Sequence, residues 1–152
     1  MAVLSVTLGA CDGCGKRCGP QSGVVAQVID GDTIELDSGE RIRYLLVDTP
    51  EITGGSDECF GEEAKNFNTD LVLGNEVDID YDVECEDRYG RLLAWVSVDG
   101  REVNSLLVER GYGCVLFIPP SGEDRVEEFE ALERSAEVAN RGMWGACEGN
   151  PC

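Results

Sequence analysis

A chain of 152 residues, 42% of them apolar, suffices for one domain with a core of its own and does not have the composition of a disordered or membrane-spanning chain. A formal net charge of -19 argues against non-specific binding of nucleic acid by the surface as a whole. The absence of histidine excludes Ser-His-Asp and Cys-His nucleophiles, histidine-bound zinc and histidine general bases. Acid–base chemistry is left to carboxylates, tyrosine, lysine, cysteine or water, and any catalytic metal to a hard cation held by oxygen.

Eight cysteines in so short a chain point to disulfides and an oxidising compartment. The apolar run Met1 to Ala10 ends in Leu8-Gly9-Ala10-Cys11, which resembles a bacterial lipoprotein processing site. Residues 1–22 therefore read as a signal remnant and Cys-rich linker, with Cys11 as a candidate lipid anchor on a secreted or cell-envelope protein. A local disulfide among Cys11, Cys14 and Cys18, or a lipidated Cys11, is expected there rather than a zinc knuckle. Residues 23–147 form the expected domain and residues 148–152 a tail.

In chain order, Val24–Ile29, Thr33–Leu36 and Arg41–Val47 read as three strands of a meander, with a turn at Ser38-Gly39. Ile52–Glu58 has no periodicity and reads as a loop. A helix is predicted over Gly61–Leu73, with Ala64, Phe67 and Leu71 on one face and Gly74 as its stop. Val77–Val83 is a fourth strand, Glu84–Gly90 a charged turn, Arg91–Val98 a fifth strand, and Asp99-Gly100 a tight turn. Glu102–Arg110 is a short helix on Val103, Leu106 and Leu107, after which Cys114–Ile118 runs apolar into Pro119-Pro120. The last helix, from Ser121 or Gly122 to Asn140, carries the stripe Val126, Phe129, Leu132, Ala136 and Ala139 and a solvated glutamate face. Trp144 is expected to dock as a core anchor. The pattern is α+β: a five-stranded OB-type β-barrel with three α-helices packed outside.

The first hairpin ends in carboxylates at both turns, Asp30 and Asp32 in Ile29-Asp30-Gly31-Asp32-Thr33, then Asp48 and Glu51 in Asp48-Thr49-Pro50-Glu51. Four like charges in one place call for a cation, arginines or a reaction. A hard divalent ion takes several oxygen ligands, and Thr33 and Thr49 add further oxygens. Arg43 precedes Asp48 in the third strand, and Arg91 begins the fifth. Two guanidinium forks, a carboxylate-held cation and a spare carboxylate are the parts needed for phosphodiester hydrolysis.

Ile29-Asp30-Gly31-Asp32-Thr33, Arg43-Tyr44-Leu45-Leu46-Val47-Asp48-Thr49-Pro50-Glu51 and Asp87-Arg88-Tyr89-Gly90-Arg91 resemble the three signature blocks of the staphylococcal nuclease (thermonuclease) family. Phe60-Gly61-Glu62-Glu63-Ala64 and the later Val103-Asn104 to Gly111 fit as well. The resemblance covers Val24 to Trp144. It implies an OB-fold, calcium-dependent, monomeric nuclease cleaving DNA and RNA, single strands preferred, to leave 3′-phosphate ends. It implies that Asp32, Asp48 and the Thr49 carbonyl hold calcium with Asp30 behind them, and that Glu51 holds or deprotonates the attacking water. Arg43 and Arg91 would clamp the scissile phosphate, and Arg88 and Tyr89 a neighbouring one. Phe117 and Pro119 stand where the family has tyrosines framing the nucleoside, and Asp57, Glu58 and Cys59 stand in place of lysines after Glu51; the acidic surface leads to an expectation of weaker substrate affinity than a basic nuclease has. The same fold implies disulfides Cys59–Cys85 and Cys114–Cys147. The alternative is a catalytically inactive OB-fold module that binds nucleic acid or protein. That reading leaves the retention of Asp32, Asp48, Glu51, Arg43 and Arg91 without a reason.

Overall fold

A computed structural model describes residues 18–52 and 57–152. The expected signal remnant and Cys11, the candidate anchor, lie outside the described residues. Strand β1 (Ser22–Asp30) pairs antiparallel with β2 (Thr33–Leu36), and β2 with β3 (Arg41–Tyr44). The β1–β2 register slips between Val25 and Gln27 and again between Val28 and Asp30. Such bulges bend a strand and raise its twist, which lets one long strand serve two neighbours. The start of β1 accordingly pairs with β5 (Glu76–Glu86), and β5 with β6 (Leu92–Val98). Parallel pairing of β3 with β6, Ile42 opposite Leu92 and Tyr44 opposite Ala94, closes the five-stranded barrel. Val25, Ile34, Ile42, Tyr44, Ile79 and Val96 fill its interior at 2% exposure or less. The α+β, OB-type architecture matches the expectation from sequence.

The predicted third strand does not run through to Val47. Four consecutive residues, Tyr44 to Val47, are all buried, which an alternating strand in one sheet cannot achieve. Leu46 takes a left-handed conformation (φ 59°), and the chain leaves the barrel as β4 (Leu46–Asp48). It then pairs with β8 (Cys114–Leu116), Leu46 opposite Leu116 and Asp48 opposite Cys114. Asn104 holds the break from inside, its Nδ2 donating to the carbonyls of Leu45 (3.0 Å) and Ala94 (3.1 Å) and its Oδ1 accepting from Val96 N–H (2.9 Å).

Helix α1 (Gly61–Val72) crosses β1, with Phe67 stacked on Tyr112 at 4.2 Å between ring centres. β7 (Arg101–Glu102) leads into α2 (Val103–Glu109), which packs on α3 (Val126–Val138). The last helix begins with a 3-10 turn at Glu123–Arg125 and ends before Ala139, which is exposed. A single turn, α4 (Met143–Ala146), follows. Its core anchor is Met143, fully buried, whereas Trp144 is only half-buried.

The cysteine pairing differs from the expectation. Among the described residues the disulfides are Cys18–Cys85, Cys59–Cys147 and Cys114–Cys152. β5 continues to Glu86 instead of ending at Val83, which keeps Cys85 on the strand beside the segment leading into β1. There the Tyr81 hydroxyl donates to the Pro20 carbonyl at 2.7 Å and Ile79 N–H to that of Gln21 at 2.8 Å. Cys85 thus lies beside Cys18, with which it is bonded. Cys59, just before α1, meets Cys147 at the end of α4 instead. Cys114 in β8 takes Cys152, so the expected tail is tied back to the fold.

Candidate active site

The turn between β1 and β2 packs against the start of α1. A Cβ on Gly31 would lie 2.7 Å from both Thr49 Oγ1 and Thr49 Cγ2 and 2.8 Å from Ala64 Cβ, so only glycine lets this turn approach Thr49. Asp32 is 5% exposed and fully engaged. Its Oδ1 accepts the Thr33 hydroxyl (3.0 Å), and its Oδ2 accepts the main-chain N–H (2.8 Å) and hydroxyl (3.2 Å) of Thr49. Asp30 Oδ1 accepts the N–H of Asp32 at 3.1 Å.

Arg43 joins the two acidic turns. Its Nη2 lies 3.2 Å from Asp32 Oδ2 and donates to Asp48 Oδ1 at 2.9 Å. Its Nη1 donates to the carbonyls of Tyr44 (2.9 Å) and Val47. The β3–β4 break thereby wraps main-chain oxygens around the guanidinium, which places Arg43 between the acids. Asp32, Asp48 and Arg43 converge as the sequence suggests. Glu51 is held differently, by its main chain: its N–H donates to Glu58 Oε2 (2.8 Å) and its carbonyl accepts from Glu58 N–H (2.9 Å). Among the described residues, no three of these carboxylates bring oxygens within 4.8 Å of one another.

Burial, then the charge of Asp32, pushes the Asp30 carboxyl up to about 7. Burial also raises Asp48, an effect that Arg43 opposes and Asp32 and Glu51 reinforce. Asp32 and Asp48, with the Thr49 main chain alongside and Asp30 behind, are hard oxygen donors in surplus over the nearby positive charge. That donor set fits a hard divalent cation.

On the other side of Arg43 opens a cleft of about 640 Å³ lined also by Arg88, Tyr89 and Arg91. The turn carrying them is built by Asp87, a residue whose part the sequence did not disclose. Its Oδ1 accepts the N–H groups of Tyr89 (2.9 Å) and Arg91 (3.1 Å), and its Oδ2 takes Arg91 Nε and Nη2, each at 2.7 Å. Burial works to raise the Asp87 carboxyl, but these bonds from Arg91 and Tyr89 outweigh it and hold the group below its ordinary value. The Arg88 and Arg91 guanidinium carbons lie 4.8 and 5.4 Å from the centre of the Tyr89 ring, which is two-thirds exposed. An Asp-turn four residues ahead of an arginine is the signal that points to such a holder.

The facing wall is aliphatic, made by Leu46, Leu116, Ile118 and Pro119. Phe117, expected there as a base-stacking ring, packs against the barrel core. Alternation along the extended segment sends Leu116 and Ile118 one way and Phe117 the other.

Residues 41–146 match the family described as staphylococcal nuclease homologue. The chain belongs to the staphylococcal nuclease family. Endonuclease YncB of Bacillus subtilis is 34% identical over 125 residues, covering 78% of this chain and 59% of that protein. The SPbeta prophage-derived endonuclease YokF, also of Bacillus subtilis, is 33% identical over 125 residues, covering 78% of this chain and 42% of its own length. A thermonuclease of Staphylococcus intermedius is 33% identical over 129 residues, covering 82% of this chain and 76% of its own. The chain thus spans less than two-thirds of the two Bacillus relatives. Arg43, Asp48, Arg88, Tyr89 and Arg91 lie within the matched residues, and Asp30 and Asp32 precede them.

Proposed function

We propose that this chain is a calcium-dependent nuclease that hydrolyses phosphodiester bonds of DNA and RNA and leaves 3′-phosphate ends. The observation that carries the proposal is the position of Arg43, which borders a cleft shared with Arg88 and Arg91 and also touches both Asp32 and Asp48. Phosphate recognition and a cation-binding set of oxygens therefore meet at one side chain. The names of the relatives, endonuclease and thermonuclease, support the same reaction.

In this reading Arg43 and Arg91 hold the non-bridging oxygens of the scissile phosphate and stabilise the charge that gathers on them. Asp87 keeps the Arg91 fork pointed along the turn. Arg88 and Tyr89 take the adjoining phosphate, and Leu46, Leu116, Ile118 and Pro119 give a base a dry surface without hydrogen-bond selectivity. Glu51 accepts a proton from, or orients, the attacking water. Calcium held by Asp32, Asp48 and the Thr49 carbonyl, with Asp30 behind, would supply Lewis-acid polarisation of the phosphate. The disulfides suit a secreted or cell-envelope placement.

The deciding assay is cleavage of single-stranded DNA and RNA with calcium or a chelator, by the wild type, Glu51→Gln and Asp32→Asn. Calcium-dependent cleavage lost in both variants, with 3′-phosphate products, is expected. Binding of the oligonucleotide without any cleavage would establish the inactive-module alternative instead.

A further inference from the structure

Glu58 is exposed, yet all three of its polar groups are engaged. Its carboxylate accepts the N–H of Glu51 at 2.8 Å, its own N–H donates to the Glu51 carbonyl at 2.9 Å, and its carbonyl accepts the N–H of Gly61 at 3.1 Å. The Glu51 main chain is thus bracketed from both sides by one residue. It is also pressed against the start of α1: a Cβ on Gly61 would collide with Ile52 Cγ2 and stand 3.0 Å from the Pro50 carbonyl and 3.3 Å from that of Glu51.

The next residue, Cys59, is crosslinked to Cys147. Cys147 closes α4, its N–H bonded to the Met143 carbonyl at 2.9 Å, and Met143 is fully buried with its own N–H on the Gly111 carbonyl at 2.9 Å. A covalent and hydrogen-bonded path therefore runs from the core through α4 and the disulfide to Glu58, and from there to the main chain of Glu51. Without the crosslink, Glu58 would be tied to the start of α1 by the bond from Gly61 N–H and would hold the Glu51 main chain through exposed hydrogen bonds, which are individually weak.

We infer that Glu58, anchored by the Cys59–Cys147 disulfide, is a positioning residue that fixes Glu51 relative to the cation and phosphate sites, so that reduction of this disulfide lowers turnover. The inference rests on the reading of Glu51 as the residue that handles water. Cys59 is exposed and Cys147 half-buried, so a small reductant has access to the bond. Reduction takes two electrons and two protons from an added dithiol, which becomes a disulfide in turn, and leaves two thiols and an untethered loop.

The test compares Glu51→Gln, Glu58→Ala, Glu58→Gln and the double variant Cys59→Ser/Cys147→Ser, with calcium present and single-stranded DNA as substrate. Displacement of a reacting group by an ångström costs up to about a hundredfold, so kcat should fall at least about tenfold in Glu58→Ala and in the cysteine variant, with KM nearly unchanged. Glu58→Gln should keep most of the wild-type kcat, because its side-chain carbonyl still accepts the Glu51 N–H. Amide exchange at Glu51, read by NMR, should accelerate about tenfold in Glu58→Ala and in the cysteine variant while Ile34 and Val96 in the core exchange as before. Wild-type kcat and Glu51 exchange in Glu58→Ala, alongside an inactive Glu51→Gln, would overturn the inference. A fully active Glu51→Gln would instead remove the reading beneath it, and the exchange data would still report on the tether. Should the cysteine variant lose its far-UV spectrum, the two Glu58 variants decide alone.

Discussion

Replacing Asn104 by alanine perturbs the break between β3 and β4 without touching the cleft. Asn104 has no solvent exposure, and its amide serves Leu45, Ala94 and Val96. The Ala94 carbonyl keeps a second donor in Leu45 N–H at 3.1 Å, so it is not orphaned by the change. The Leu45 carbonyl and the Val96 N–H lose the partner that Asn104 provides, and each buried group left unpaired costs about 1–3 kcal/mol. Truncation should therefore destabilise by about 2–6 kcal/mol, a large part of the roughly 5–15 kcal/mol that a domain commonly has. Urea unfolding followed by tryptophan fluorescence, with disulfides intact, measures it. Because Leu45 lies two residues from Arg43, kcat should also fall in the fraction that stays folded. A loss below about 1 kcal/mol would mean that water or relaxation satisfies the freed groups, and the account of the break would be wrong.

A second expectation concerns pH. The folded Asp87 carboxyl lies below its unfolded value of about 4, so its stabilising effect is complete above that pH and is lost as pH falls through the folded value. The gap in urea midpoint between wild type and Asp87→Asn should thus be wide at pH 6 and shrink steadily as pH is lowered below about 4; a gap that does not change with pH would refute the charge-assisted account of this turn. The third concerns the aliphatic wall. Ile118 is 67% exposed in the cleft, and stacking of one base on an aromatic ring is worth about 1–3 kcal/mol, so Ile118→Tyr should lower KM for single-stranded DNA about fivefold or more. An unchanged KM would show that substrate does not reach Ile118. Phe117→Leu, on the core side, should instead lower stability with little change in KM.

The acids and the arginines at 43 and 91 stood out as site candidates because chemistry restricts their type, whereas Arg88 and Tyr89 stood out only through the family resemblance. With histidine absent, paired acidic turns and arginines at 43 and 91 left few reactions open, and the strand pattern sufficed for a five-stranded barrel with three helices. What the sequence did not disclose depends on distance between segments far apart in the chain. Period-two alternation says that Phe117 and Leu116 face opposite ways but not which faces the cleft; the pairing of β8 with β4 decides that. Cysteine partners follow from the length of β5 and the path of the last residues, so all three pairings came from packing. The roles of Asp87 and Glu58 are likewise tertiary, since a charged residue in a turn is ordinary until the groups it holds are known. The acids and arginines of the opening hairpin were fixed by residue type alone. That Arg43 stands between Asp32 and Asp48 was decided by the burial of Tyr44 to Val47, which bends the chain around its guanidinium.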